Sequence, residues 1–310
     1  MSTLSLTNYQ KSFLKSLELQ GKSFNTVKNY KTDLNIFNTY LINKGRDLII
    51  NEVTITEISE YGEYLKNKYN SPNSIRRRVQ ALRIFFDYLI REEIFDHNPV
   101  KKMLVQPKVV DLPKPTPFKI AKALKEQLQS SADNEKGHVQ LLAQRNIILF
   151  DLIYGGLKVS DIERLEHAHI ILAENKYRVI ISPDKRDPYT ISLDKTFNDN
   201  YTKYEKLLEQ AKNRDKTDFS KLMFNANPFK ILSGGLSARG IEVIFKELSN
   251  EINHQITAKY LRQAAIFKWL SLGTPHSRIK EWMGVQPKYS LKPYLDLQSD
   301  EPHKYTYPTL

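Results

Sequence analysis

Thr257-Ala258-Lys259-Tyr260-Leu261-Arg262-Gln263, followed by Trp282-Met283-Gly284-Val285 and, nine residues later, by Tyr294, is the stretch on which the reading of this chain turns. Helices are predicted over 258–272 and 276–283, so Arg262 falls early in the first of them. A tyrosine alone says little among 17. Its register with Gly284 and Arg262 is what carries information. Two earlier segments extend the set. One is Tyr154-Gly155-Gly156-Leu157-Lys158-Val159-Ser160-Asp161, and the other is Lys185-Arg186 between two runs rich in β-branched and aromatic residues. Those runs, 177–182 and 189–193, are separated by Pro183 to Pro188 and predict a β-hairpin with both cations at its tip.

Working outward, the region 118–310 is predicted to be mainly helical. Helices are expected over 118–130, 137–153, 200–212 and 237–250, with a short one from Ser160. The second is nearly all apolar late on (Ile147, Ile148, Leu149, Phe150, Leu152, Ile153), as a buried core helix is, and Gly155-Gly156 breaks it. Upstream lies a different texture. Four prolines fall between Pro107 and Pro117 among few large apolar residues, which is the composition of a stiff, extended linker. The predicted domains are therefore 1–105 and 118–310, with the linker at 106–117.

Residues 1–105 read as helical throughout. Val27, Tyr30, Leu34, Phe37 and Leu41 recur at three- and four-residue steps, Ser23 and Asn25-Thr26 offer N-cap chemistry, and Gly21 and Gly45 divide and stop the run. Thr54 and Glu57 have capping-box spacing, with Thr56 as the other candidate cap. Ser71-Pro72 opens a strong helix to about Arg91, whose buried stripe is Ile75, Val79, Leu82, Phe86 and Leu89. Arg76 and Arg83 lie on one flank of that stripe, and Arg77 points away from it.

Composition narrows the function. The chain carries a net charge of +12 with a pI near 9.4, and 40% hydrophobic against 26% charged residues is a soluble, globular balance. There are 16 basic and 11 acidic residues up to position 105, and 31 and 24 after it, so both parts are basic and the charge is no detachable tail. A field of this sign favours a polyanion, nucleic acid above all. The absence of cysteine excludes disulfides, thiolate metal sites and cysteine nucleophiles, and fits a cytoplasmic location. No apolar run is long enough to span a bilayer, and the first residues lack a secretory layout. His167 and His169 have no acidic partner pattern, so neither a metal nor another cofactor is expected.

Taken in order and with these spacings, the segments resemble the tyrosine recombinase (phage integrase) family, and its Xer-like branch in particular. The resemblance covers almost the whole chain. Asn25-Thr26 with Tyr30, Asp33, Leu34, Phe37 and Tyr40 is similar to the family's core-binding helix. Arg77, Leu82, Arg83, Phe86, Tyr88, Leu89 and Asn98-Pro99 are similar to the last helix of that domain and its exit. What the resemblance implies is a mainly α fold with a small antiparallel β-sheet. It would form a two-domain DNA clamp, with a helical core-binding domain and a tyrosine-recombinase catalytic domain. The implied activity is site-specific recombination or integration through a 3′-phosphotyrosyl link, without a metal. Double-stranded DNA is the implied partner, with self-association on paired sites or association with a related recombinase. The tail from Leu295 to Leu310 is a place to look for a subunit contact.

By the same resemblance Tyr294 is the nucleophile and Arg262 the second arginine. Lys259 stands where the family usually has histidine, and Lys185 (or Arg186) is the hairpin lysine. Arg76, Arg77, Arg78, Arg83 and Arg186 are the candidate DNA contacts. The chemistry suits these residue types. A planar guanidinium can grip two phosphate oxygens, and a lysine can protonate the leaving oxygen. Two positions depart from the pattern. Lys158 stands at the family's first arginine, keeping the charge but not the fork, and Val285 stands at a histidine or tryptophan, with nothing to donate. Losing one transition-state donor typically costs about 100- to 1,000-fold. Two readings follow, an active recombinase and a catalytically impaired relative that binds a DNA site or partners an active recombinase. Lys158 and Asp161, three apart, also fit a plain ion pair on a helix surface.

Overall fold

The computed structural model describes residues 5–50, 53–103, 109, 112–183 and 187–308. The chain divides into two units, Met1–Asp111 and Leu112–Leu310.

The first unit is built from α1 (Leu6–Leu19), α2 (Phe24–Asn43), α3 (Ile55–Lys68) and α4 (Pro72–Arg91). Short-range chemistry starts each of the last three. Ser23 caps α2 by accepting from Thr26 N–H, and Ser71 caps α4 with Pro72 in its first turn. Thr54, not Thr56, caps α3, in a reciprocal box with Glu57. Gly21 (φ +70°) separates α1 from α2 in the left-handed conformation that glycine adopts without strain. Phe13, Phe37, Tyr61, Phe85 and Phe86 are fully buried in one core. α1 and α2 are also joined by a reciprocal amide pair, Gln10 with Asn38 at 2.8 and 2.7 Å, which satisfies both groups where no water reaches.

The arginines of α4 offered as DNA contacts differ in their surroundings. Arg78 is buried, its guanidinium 3.7 Å above the Tyr69 ring, and it donates to the Ser74 carbonyl at 2.8 Å. It is a packing residue in this unit, because a cation stacked on an aromatic face at close range is held by the ring and by the helix beneath it. Arg77 is exposed, 3.0 Å from the buried carboxylate of Asp33. Arg76 and Arg83 are half-buried.

The second unit contains α5 (Phe118–Asn134), α6 (Gly137–Tyr154), α7 (Val159–Ile162), β1 (Ile170–Ala173), β2 (Lys176–Ile181), β3 (Tyr189–Ser192), α8 (Thr196–Asp215), β4 (Phe224–Ala226), β5 (Leu232–Gly234), α9 (Ala238–Glu251), α10 (Ala258–Ser271), α11 (His276–Met283), α12 (Lys292–Asp300) and α13 (Pro302–Tyr305). The apolar end of α6 is buried from Ile147 to Tyr154, as its sequence demands. The predicted hairpin is β2–β3, antiparallel, with Val179 opposite Ile191. β1 adds a third strand on the other edge of β2. It escapes sequence reading because it is four residues long and its turn to β2 uses Glu174-Asn175, both at positive φ, in place of the usual glycine. The pair β4–β5 is equally short and was equally unexpected. Lys185 and Arg186 lie outside the described residues. In the chain's tail, a place to look for a subunit contact, two tyrosines pack on their own unit. Tyr305 stacks on Phe267 at 4.9 Å, and Tyr307 is buried beside the same ring.

Candidate active site

α10 is the element around which the site assembles. Thr257 caps it by accepting from Tyr260 N–H at 3.1 Å, which puts Lys259 in the first turn and Arg262 just beyond it. Lys259 is exposed, and Arg262 reaches inward. Its Nε donates to the Gly156 carbonyl at 2.7 Å, and Nη2 donates to the carbonyls of Met283 at 2.9 Å and Trp282 at 3.3 Å. One guanidinium therefore ties together the loop after α6 and the C-terminal end of α11. Both are places where a helix leaves carbonyls without an internal partner, and a fixed cation answers them well. Among the described residues Nη1 has no hydrogen-bond partner.

The two tied segments carry the other candidates. Gly156 has φ +104°, and a Cβ there would come within 2.3 Å of the Trp269 ring. Only glycine fits. Two residues on is Lys158, half-buried at the start of α7, where its N–H donates to the Asp161 carboxylate at 3.3 Å. Asp161 is thus a helix cap as well as a nearby negative charge, which goes beyond the surface ion pair that its spacing allowed. On the other side, Gly284 (φ +69°) ends α11, with Val285 N–H donating to the Lys280 carbonyl at 3.1 Å. The chain then turns to α12, which bears Tyr294 in its first turn.

Tyr294 is 6% exposed, its ring 5.5 Å from that of Phe267 on α10. Burial, and next the neighbouring Tyr289, pushes its phenol up to about 12, while the positive charge of Arg262 and the Gln263 amide pull it down. The hydroxyl is therefore protonated at neutral pH. It must lose its proton as it reacts. Burial holds the Arg262 guanidinium below the usual arginine range, opposed by Asp161, Tyr189 and Tyr294. The ring contact with Phe267 brings the far end of the sequence onto α10, the helix that bears Arg262. Val285 is half-buried against the core and offers no side-chain donor.

Arg262 thus holds the loop that leads to Lys158, Tyr294 packs on Phe267 of the same helix as Arg262, and Lys259 lies at the N-terminal end of that helix. Sequence reasoning missed Trp269, which makes Gly156 obligatory, and the bond from Lys114 N–H to Gln263. The double glycine was the available signal for the first. None was available for the second.

The model of the phage integrase SAM-like domain matches residues 5–105. Over 271 residues, 86% of this chain and 85% of the relative, the sequence is 27% identical to tyrosine recombinase XerD of Listeria monocytogenes. Over 303 residues, 94% and 92%, it is 25% identical to tyrosine recombinase XerC of Oceanobacillus iheyensis. Over most of its length the chain is similar to tyrosine recombinases of the Xer type. Solved structures of tyrosine recombinases share its fold. A lambda integrase dimer bound to a COC′ core site matches with a TM-score of 0.64 at 12% identity, covering 99% of this chain and 80% of that one. XerH bound to its difH substrate, in a pre-cleavage complex, matches with a TM-score of 0.64 at 15% identity, covering 98% and 81%. The family's mainly helical architecture with a small antiparallel sheet is the architecture found here.

Proposed function

We propose that this chain is a tyrosine recombinase that cuts and rejoins DNA at a specific site, with Tyr294 as nucleophile. The observation that carries the proposal is Arg262, anchored by three carbonyls on the helix against which Tyr294 packs, with Nη1 still unspent. Carbonyls carry no net charge. The anchored guanidinium keeps its full positive charge for a phosphate.

In the proposed reaction the Tyr294 oxygen attacks the scissile phosphorus and its proton leaves. The new O–P bond replaces the bond to the 5′-oxygen, which departs with a proton from Lys185. The 3′-phosphotyrosyl link keeps the phosphoryl group activated, so a 5′-hydroxyl of another strand can reverse the step. Arg262, Lys158 and Lys259 hold the non-bridging oxygens as charge builds on them. Arg77, with Arg76 and Arg83 on α4, contacts DNA phosphates, and these contacts make binding fall steeply with salt. Cleavage at paired sites requires more than one copy, so self-association on double-stranded DNA belongs to the same proposal.

The test is covalent capture. A nicked duplex carrying the cognate site, on which the released fragment diffuses away, is expected to give a protein–DNA adduct that vanishes in Tyr294→Phe. Val285, with no donor, and Lys158, with no fork, favour a second reading in which the chain binds DNA but cleaves it poorly. If wild type gives no adduct but a Lys158→Arg, Val285→His double variant does, the second reading holds. No adduct from either would sink the assignment of Tyr294.

A further inference from the structure

The chain has two tryptophans, and the structure sets them against each other. Trp269 of α10 and Trp282 of α11 pack with ring centroids 5.0 Å apart and planes tilted by 54°. Trp269 is the ring that leaves no room for a Cβ at Gly156. Trp282 is half-buried, and its Nε1–H donates to the Thr190 carbonyl of β3 at 3.1 Å. That carbonyl is turned away from β2. Leu193 N–H donates to the Tyr177 carbonyl at 2.9 Å, and antiparallel pairs alternate between bonded and non-bonded. Ile191 and Tyr189 therefore bond across to β2, while Thr190, opposite Ile180, faces outward. β3 is the outer strand of its sheet, so a carbonyl on its open side needs a donor from elsewhere, and Trp282 supplies one. Trp282 has a third tie, its own carbonyl accepting from Arg262 Nη2 at 3.3 Å. Any residue at this position offers that carbonyl. The indole supplies both other ties, whereas a phenylalanine would keep the ring and lose the donor.

We propose that Trp282 is a positioning residue for Arg262: its indole fixes the end of α11, and with it the carbonyls that aim the guanidinium. The proposal deepens the reading of Arg262 as the cation that holds the scissile phosphate, and rests on it. α11 is eight residues long, with Ile279 and Met283 as its buried side chains. So short a helix has little stability of its own, and its placement depends on what its side chains touch. Its last turn gives Arg262 two of its three acceptors, Met283 at 2.9 Å and Trp282 at 3.3 Å. The third belongs to Gly156. The tryptophan pair stands behind all three, because Trp269 confines the backbone at Gly156 and Trp282 confines the end of α11. A misplacement of about 1 Å in a positioning group can cost about 100-fold in rate. Losing one hydrogen bond while the ring contact remains allows a smaller shift, and a rate about tenfold lower is expected.

Two variants grade the contact. Trp282→Phe keeps a ring against Trp269 and removes the donor to Thr190, and Trp282→Leu removes both. The first readout needs no cleavage. In full-length protein labelled with 15N-arginine, the Arg262 Nε–H signal is identified by its loss in Arg262→Lys. It is expected to move in Trp282→Phe and further in Trp282→Leu. The Arg145 Nε–H, which donates to Asn146 Oδ1 at 3.2 Å in the same unit, is expected to stay in place and controls for general loosening. The second readout is adduct formation on the nicked duplex, expected to be about tenfold slower in Trp282→Phe at unchanged DNA affinity. In an Arg262→Lys background the same change should add nothing, whereas a merely structural role multiplies in both backgrounds. A converse test uses neither variant. Protein carrying 5-fluorotryptophan gives two 19F signals, and at least one is expected to shift in Arg262→Lys. The proposal is overturned by an Arg262 signal that stays put in Trp282→Phe, by one that moves only together with that of Arg145, or by two unmoved fluorine signals. Absence of adduct in wild type, with the Arg262 signal shifted as expected, overturns the catalytic reading of Arg262 and leaves the positioning contact standing.

Discussion

Arg77 on α4 and Arg262 on α10 are both arginines fixed by the protein, yet they are fixed by opposite means. Arg77 is held at 3.0 Å by Asp33, a carboxylate that is 3% exposed. Arg262 is held at 2.7 to 3.3 Å by the carbonyls of Gly156, Met283 and Trp282. A carboxylate orients a guanidinium and also cancels its charge. Carbonyls orient it and leave the charge in place. A phosphate approaching Arg77 must compete with Asp33, and one approaching Arg262 competes with no charge in direct contact. The difference separates a cation suited to tuning affinity from one suited to stabilising a transition state.

The largest expected effect is at Arg262. Arg262→Lys keeps a positive charge but cannot hold three carbonyls and a phosphate together. Adduct formation is expected to fall about 100- to 1,000-fold, with DNA affinity changed far less. If Arg262→Lys cleaves within a few-fold of wild type, the carbonyl anchor is irrelevant to chemistry and the contrast collapses.

Next comes the anchor itself. Gly156→Ala places a Cβ at 2.3 Å from the Trp269 ring, on a backbone at φ +104°. A loss of about 1–3 kcal/mol is expected in denaturant unfolding, together with slower adduct formation because the carbonyl held by Arg262 must shift. Gly21→Ala, also at positive φ but with nothing within 4 Å, should cost less and leave cleavage alone.

The smallest effect sharpens the other half of the comparison. Burial raises the Asp33 carboxyl above its usual range, with Arg77 and Arg78 pulling it back down. A folded-state value above the unfolded one means that the folded chain holds the proton more tightly. The associated stability is full below the unfolded value and is lost as pH rises through the folded one. Asp33→Asn removes that loss. Its thermal midpoint relative to wild type is therefore expected to improve as pH rises from the ordinary carboxylate range towards neutrality. Freed of its carboxylate, Arg77 should also steepen the salt dependence of DNA binding by about one phosphate contact. A flat difference against pH would mean that Asp33 is not strained by its burial.

How much of this was legible beforehand depended on range. The caps at Ser23, Thr54 and Ser71 act over three residues, so their elements could be read with good boundaries. β1, β4 and β5 are three or four residues long, too short for periodicity to show, and the turn at Glu174-Asn175 lacks the glycine that usually marks one. Arg76, Arg77 and Arg78 looked alike as a run of charge. Their partners, Asp33 and the Tyr69 ring, are set by how α2 and α4 pack.

The sequence by itself determined the helical plan, the basic character of both parts and the order of Lys158, Arg262, Gly284 and Tyr294. Side-chain type and local spacing are written in the chain, and the spacing of the set is what marks the family. Only the tertiary structure decided which arginine keeps its charge, why Gly156 must be glycine, and what lies beside the Tyr294 hydroxyl. Those outcomes hinge on backbone carbonyls, an indole ring and a guanidinium brought from far along the chain. A carbonyl is the same at every position, so nothing in the order of residues announces which one a guanidinium will find.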